Sequence, residues 1–493
     1  MPEIMCWIRN SRPAKGMLQA LKNTVKAAIL RGIIAHDRRR RALLGMVDRD
    51  LHPSNWDAAV GPDGHLVMGG CDTLQLAQRF GTPLYVVDRA RLRKNFATFA
   101  AGFRNHYPRV ELGYSYKTNP LPGVLRTLHE LGAWAEVISH FELWLALELD
   151  VAPERIAFNG PGKTRAGLEL AVSRGVSIIN IDSEDEIDAI ARLASLSGRR
   201  QRVGVRVITS VGWSSQFGLS IASGAALRAF EHIRRLEQLD PAGLHIHLGT
   251  GIRDIWVYLQ AVQELLEFAH ALKRKLGIEV TTFDLGGGFG VPTVRKFSEW
   301  DTRLMANGHA PAVMDVSSAA SIEDYGRAIA KLFSQYYPAS GSIRPSLFLE
   351  PGRAITSSAQ TLLLEVLAVK PAGESSFNVI CNGGRNIAMP TGYEYHEMFA
   401  AANAEAGGEF RYDLFGPLCH PGDVLFTGKL LPRLKAGDVV AIMDAGAYFV
   451  PNQMNFSNPR PAAVMVEEGQ VTLIRSRESF EDIVAHDGLS VRR

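Results

Sequence analysis

The chain has 493 residues, of which 46% are hydrophobic and 21% charged, and a formal net charge of +3. That length implies two or three domains, and the ordinary composition excludes fibrous, low-complexity and disordered classes. The small charge argues against nucleic acid or an anionic membrane as the main partner, and the scattered Cys6, Cys71, Cys381 and Cys419 lack the spacing for a disulfide framework or a zinc site. We expect a reducing, cytoplasmic setting, no membrane span and no metal.

Residues 1–50 read as a basic amphipathic extension. Lys15, Lys22, Lys26 and Arg31 punctuate an apolar pattern of Met17, Leu18, Leu21, Val25, Ile29, Leu30, Ile33 and Ile34, and the pattern ends near Arg38 to Arg41. Residues 51–84 form an N-terminal segment expected to pack with a later β domain. It predicts a strand near Leu66, a helix over Thr73 to Phe80 and a strand over Leu84 to Val87, broken at Gly81-Thr82-Pro83. From there β-rich runs recur between helical segments: Val110 to Tyr116, Ala135 to Val137, Ile156 to Phe158, Ser177 to Ile181, Val203 to Ile208, Leu244 to Leu248, Thr282 to Leu285 and Ser346 to Glu350. Eight strands alternating with helices predict an α/β fold, a closed parallel (β/α)8 barrel of TIM type over residues 85–356. Residues 357–493 change character to closely spaced β-branched runs between Pro and Gly, which predicts a mainly β C-terminal domain.

Four elements carry chemistry. Tyr114-Ser115-Tyr116-Lys117-Thr118-Asn119-Pro120 puts a lysine at a strand end before a turn, at the C-terminal mouth where barrel active sites lie. His245-Ile246-His247-Leu248-Gly249-Thr250-Gly251 pairs two histidines with a Gly-Thr-Gly whose amides can approach a phosphate; no third ligand lies nearby to favour zinc. Asp284-Leu285-Gly286-Gly287-Gly288-Phe289-Gly290 is a glycine run after a strand, without the helix and downstream acid of a dinucleotide fingerprint. Glu350-Pro351-Gly352-Arg353 closes the eighth strand with a carboxylate and a guanidinium.

In this order, and with Gly416-Pro417-Leu418-Cys419, Asp423 and Gly446-Ala447-Tyr448 in the tail, the chain resembles the pyridoxal 5′-phosphate (PLP)-dependent decarboxylases of the diaminopimelate and ornithine type, closest to the diaminopimelate branch. The resemblance implies that Lys117 holds PLP as a Schiff base, that His247 stacks on its ring and that Glu350 keeps its nitrogen protonated. Thr250, Gly287, Gly288, Arg353 and Tyr448 would hold the phosphate, and Glu136 and Glu142 would stand beside the lysine. Cys419 would come from the partner of a homodimer to protonate the α-carbon, so that two chains share each site. The substrate would be a small-molecule amino acid.

Two departures from the diaminopimelate pattern bear on that substrate. An acidic residue usually follows the cysteine, where it meets the substrate's distal ammonium; here it is His420, a poor partner for an ammonium. The arginine of the usual Arg-Pro-x-Leu-Tyr segment, a carboxylate clamp, is Met389 in Met389-Pro390-Thr391-Gly392-Tyr393, with Arg385 four residues upstream as a substitute. His420, Asp423, Arg385 and Tyr393 are therefore the candidate substrate-binding residues, and an elaborated or acylated amino acid is the expected substrate. The alternatives are meso-diaminopimelate itself, a racemase on the same fold and a non-catalytic binding homologue.

Overall fold

Eight parallel strands close on themselves in the computed structural model, which describes residues 51–311, 316, 319–338, 344–373 and 375–488, and ten residues between 21 and 36. In chain order they are β1 (Val110–Ser115), β2 (Trp134–Val137), β3 (Ile156–Phe158), β4 (Ile178–Ile181), β5 (Gln201–Ile208), β6 (Leu239–His245), β7 (Thr282–Asp284) and β8 (Ser346–Leu349). Each pairs in parallel with the next, and β8 returns to β1 through Leu347 and Val110. Strands such as β3 and β4 are buried along their whole length. Helices cover their outer face and side chains fill the barrel, so the sequence reads as unbroken apolar runs instead of alternation.

The outer helices start on side-chain caps that fix where each loop ends. Ser139 Oγ accepts from the Glu142 amide, Thr164 from Gly167, Asp254 from Trp256 and Ser321 from Asp324. Beneath them Phe289 stacks on Tyr258 at 4.7 Å between ring centroids and meets Phe99 and Tyr325 edge-on. That cluster anchors the end of the glycine run that follows β7.

A second, mainly β body is built from Leu84–Asp88, Gln360–Pro371, Ser376–Cys381, Phe410–Phe415, Val424–Leu431, Val439–Ile442, Ala462–Glu467 and Gln470–Arg475. Residues 51–72 add a three-stranded unit beside it, tied by the Leu66 amide to Ala401 O at 2.8 Å and by Trp56 Nε1 to Asp444 Oδ2 at 2.6 Å.

Two sequence expectations need correction. The barrel was expected to begin at residue 85, yet Leu84–Asp88 lies wholly in the second body, antiparallel to Gln360–Pro371 and parallel to Ala462–Glu467. A five-residue run buried on both faces looks the same in either sheet, and only its long-range partners decide; the barrel begins with the helix Arg89–Arg104. The sixth strand is Leu239–His245, earlier than Leu244 to Leu248, because its register shifts at Pro241 and the backbone leaves the ladder after His245. The two histidines are thus strand end and loop. Of the N-terminal extension, the ten described residues are helical; its remainder, including Arg38 to Arg41, lies outside the described residues. Among the described residues, no helix is long and apolar enough to cross a membrane.

Candidate active site

Seven of the eight barrel strands end, or are followed, by a polar side chain that joins one buried network at the C-terminal mouth. Lys117, in the turn Tyr116–Thr118 after β1, donates from Nζ to Glu136 Oε2 on β2 at 2.7 Å. Ser115 Oγ donates to the same oxygen at 2.5 Å. Asn159, after β3, donates from Nδ2 to both Glu136 Oε1 (3.0 Å) and Glu350 Oε1 (2.5 Å). Asn180 on β4 donates to Asn159 Oδ1 at 2.8 Å and to Asp284 Oδ2 on β7 at 3.2 Å. Glu350, after β8, also has His245 Nε2 and His247 Nδ1 each at 3.3 Å. On the remaining strand, β5, Arg206 lies 3.5 Å from Asp182 and 4.2 Å above the Phe217 ring.

The charges within this network are sorted by environment. Burial penalises the Lys117 ammonium, but Glu136, Glu350 and Tyr448 outweigh it and hold the amine above the usual lysine range. Asp284 and Glu350 face each other: burial and the Glu350 charge push Asp284 up, leaving it neutral. Burial also opposes ionisation of Glu350, but the neighbouring histidines and Lys117 pull it well below the usual range, so Glu350 carries the negative charge. Burial lowers His245 and keeps it neutral. Glu142 is pushed up to about 7 by burial and by Glu136, while its Oε2 accepts from the Ile138 amide at 2.8 Å.

His245, Asp284 and Glu350 offer atoms within 4.8 Å of one another, a spacing that could hold an ion. Glu350 is already shared with His247 and Asn159, and Asp284 is neutral, so the group reads as a hydrogen-bond network around one carboxylate.

Next to it is a cradle suited to an anion. A Cβ at Gly287 would stand 2.2 Å from the Glu350 carbonyl oxygen, and one at Gly288 would stand 2.1 Å from that of Gly249, where φ is also +91°. Only glycine allows the two loops to pack this closely. Tyr258 OH donates to Gly287 O and fixes the loop from below. Thr250, partly buried, follows Gly249 on the facing loop. Arg353 opens the short helix Arg353–Thr356; its Nη2 donates to Glu394 Oε1 at 2.7 Å, but Nε and Nη1 are buried without a hydrogen-bond partner among the described residues. Two idle guanidinium nitrogens, a glycine cradle, and an amine beside an ionised carboxylate are together the complement of a phosphorylated pyridine aldehyde.

The second body forms the rim. The Tyr448 amide donates to Thr118 O at 2.9 Å from a backbone at φ +67°, and the Tyr448 ring faces Arg353 Cζ at 5.3 Å. The Arg385 guanidinium lies against Gly392, where a Cβ would be 2.0 Å from Cζ, next to Tyr393. Arg385, Met389, Leu418, His420, Met454 and Phe456 line a cavity of about 330 Å³.

Cys419 and His420 sit exposed on the loop between Phe410–Phe415 and Val424–Leu431. Among the described residues, that loop makes no hydrogen bond or ion pair with Lys117, Glu136, Glu350 or Arg353 of the same chain. Asp423, expected to bind substrate, also lines the rim cavity, but it is buried, and its two oxygens accept from the Arg385 amide at 2.6 Å and the Leu418 amide at 2.8 Å. With both oxygens taken by backbone, Asp423 is the clamp that shapes the cysteine loop.

Sequence reasoning missed Asn159, Asn180 and Arg206, whose signal was a lone polar residue at the end of each apolar strand. It also missed Trp213, whose half-exposed ring stands 5.8 Å from His247.

The family model for the pyridoxal binding domain of pyridoxal-dependent decarboxylases matches residues 90–357. A diaminopimelate decarboxylase of Methanothermobacter thermautotrophicus is 31% identical over 88% of this chain and 98% of its own length, and one from Archaeoglobus fulgidus is 32% identical over 86% and 96%. The crystal structure of the M. jannaschii diaminopimelate decarboxylase with L-lysine has a TM-score of 0.79 at 28% identity, covering 89% of this chain and 99% of that one. The chain belongs to the family of pyridoxal-dependent decarboxylases and is an amino-acid carboxy-lyase that uses PLP.

Proposed function

We propose that the enzyme removes the α-carboxylate of an amino acid whose far end carries an acid and no ammonium, in a site shared by two copies of the chain. The observation that carries this reading is the rim. Arg385 reaches Gly392 from four residues upstream of the missing clamp, while His420 occupies the position of the ammonium-binding acid. A guanidinium and an imidazole, flanked by Met389, Leu418, Met454 and Phe456, favour a distal carboxylate on an apolar or acylated arm.

PLP supplies the electron sink for the pair left when CO2 departs. Lys117 Nζ would be the attachment point, with Glu136, 2.7 Å away, placed to take up the proton the amine must lose to attach. Glu350, bonded by Asn159 and flanked by His245 and His247, would hold the proton at the pyridine nitrogen. Arg353 Nε and Nη1, the glycine cradle at Gly287 and Gly288, and the hydroxyls of Thr250 and Tyr448 would hold the phosphate. His247, with the Trp213 ring 5.8 Å away, would pack on the cofactor ring. Cys419 from a second copy delivers a proton to the α-carbon, which accounts for an exposed cysteine on a loop clamped by a buried aspartate.

CO2 release from a panel of D- and L-amino acids tests the substrate. Distal acids without a distal ammonium, including acylated diamino acids, should give the highest kcat/KM. Turnover of meso-diaminopimelate at least tenfold faster than all of these would sink the proposal. The second reading is meso-diaminopimelate itself, favoured by the activity for which the relatives are named. Under our reading His420→Glu raises kcat/KM for meso-diaminopimelate; under the second it does not.

A further inference from the structure

Residues 1–50 contain 11 Lys and Arg against 4 Asp and Glu, a net charge of +7, which leaves 43 against 47, or −4, for the other 443 residues. A chain that is nearly neutral overall is therefore strongly polarised. Within the basic segment, every described residue between 21 and 36 is helical and exposed. Leu21, Val25, Ile29 and Ile33 stand at four-residue intervals with relative exposures of 61%, 50%, 58% and 44%. Four-residue steps advance each side chain by only about 40° round a helix, so the four make one slowly turning stripe. Lys22, next to Leu21, is helical and exposed.

We propose that this segment docks the enzyme on an anionic lipid surface, with the Leu21, Val25, Ile29 and Ile33 stripe in the headgroup boundary and the lysines against the lipid phosphates. An exposed apolar stripe on a basic helix is the physical signature of a helix lying in an interface. Nucleic acid would use the charge but leave the stripe in water, and a neutral protein groove would use the stripe but leave the charge without a counterpart. A bilayer of acidic lipid uses both. The four successive arginines Arg38 to Arg41 add charge at the end of the segment.

The test is co-sedimentation of the full-length, PLP-loaded enzyme with vesicles of phosphatidylcholine alone or mixed with phosphatidylglycerol. At least about tenfold more protein should partition onto the acidic vesicles, since each basic residue near such a surface strengthens binding several-fold. A variant with Leu21→Gln, Val25→Gln, Ile29→Gln and Ile33→Gln should lose sedimentation while keeping the cofactor absorbance of the parent, which reports an intact barrel. Equal partitioning onto both vesicle types, or onto neither, would overturn the proposal. So would sedimentation unchanged in the quadruple variant, vesicle binding abolished by a DNA competitor, or a stripe that controls oligomer mass by light scattering but not vesicle binding.

Discussion

The barrel mouth and the cysteine loop are both polar, but they are built in opposite ways. At the mouth, side chains from seven strands share one buried network in which Glu136 receives several donors and Glu350 accepts from Asn159 with His245 and His247 each at 3.3 Å. On the loop, a single buried carboxylate, Asp423, holds the backbone while Cys419 and His420 project into solvent. The first arrangement is complete within one chain and rigid, as a group that must hold a proton at a fixed atom requires. The second, among the described residues, makes no hydrogen bond or ion pair with the mouth of its own chain, and under the proposed function it would meet its partner groups in a second copy. Under the proposed function, reaction type would reside in the barrel and substrate choice in the rim.

Substitutions on the two sides should separate accordingly. The largest effect belongs to Lys117→Ala, which should abolish the cofactor's absorbance band and lower kcat by about a thousandfold or more. Glu350→Gln should leave the band in place but cut kcat by about a hundredfold, because it removes the anion and not the volume. Arg353→Ala should weaken PLP binding by about 10 to 100-fold, as measured by titration of the apo-protein. It should also destabilise the fold, since Glu394 would lose its 2.7 Å partner in a buried site. Asp423→Leu should keep cofactor affinity and lower kcat, with a stability loss of about 1–3 kcal/mol by denaturant unfolding from the two stranded amides. A loss of PLP affinity in that variant would mean that the loop and the mouth are not separate.

The smallest effect is a pH dependence. Folding raises the Glu142 pKa from its ordinary value to about 7. The unfolded carboxyl ionises first, so native Glu142 costs stability that is absent below about pH 4.5 and grows as pH rises to about 7. Glu142→Gln should therefore stabilise the apo-protein at pH 8 but not at pH 4.5, by about 1–3 kcal/mol.

What the sequence made legible follows from the same physics. Barrel strands read correctly where burial on both faces leaves continuous apolar runs, as in Ile156–Phe158. Lys117, His247, Glu350 and Arg353 were legible through their order along the chain, although none is diagnostic alone. Phe410–Phe415 and Val424–Leu431 were not, because their partly exposed faces mix Arg, Asp, Lys and Thr with apolar residues. Asn159 and Asn180 have no motif; only closure of the barrel brings Asn180 to Asp284. The role of Asp423 was also hidden, since a buried clamp and a substrate ligand look alike as one acidic letter after a cysteine.

The central claim is that one chain's barrel is completed by another chain's Cys419, and mixing two inactive variants tests it most directly. Lys117→Ala and Cys419→Ala, each inactive alone, are unfolded together, refolded with PLP and assayed for CO2 release. Random pairing gives mixed dimers one intact site each, so activity should recover to about a quarter of the parent's. A mixture no more active than the better of the two variants would contradict the shared site.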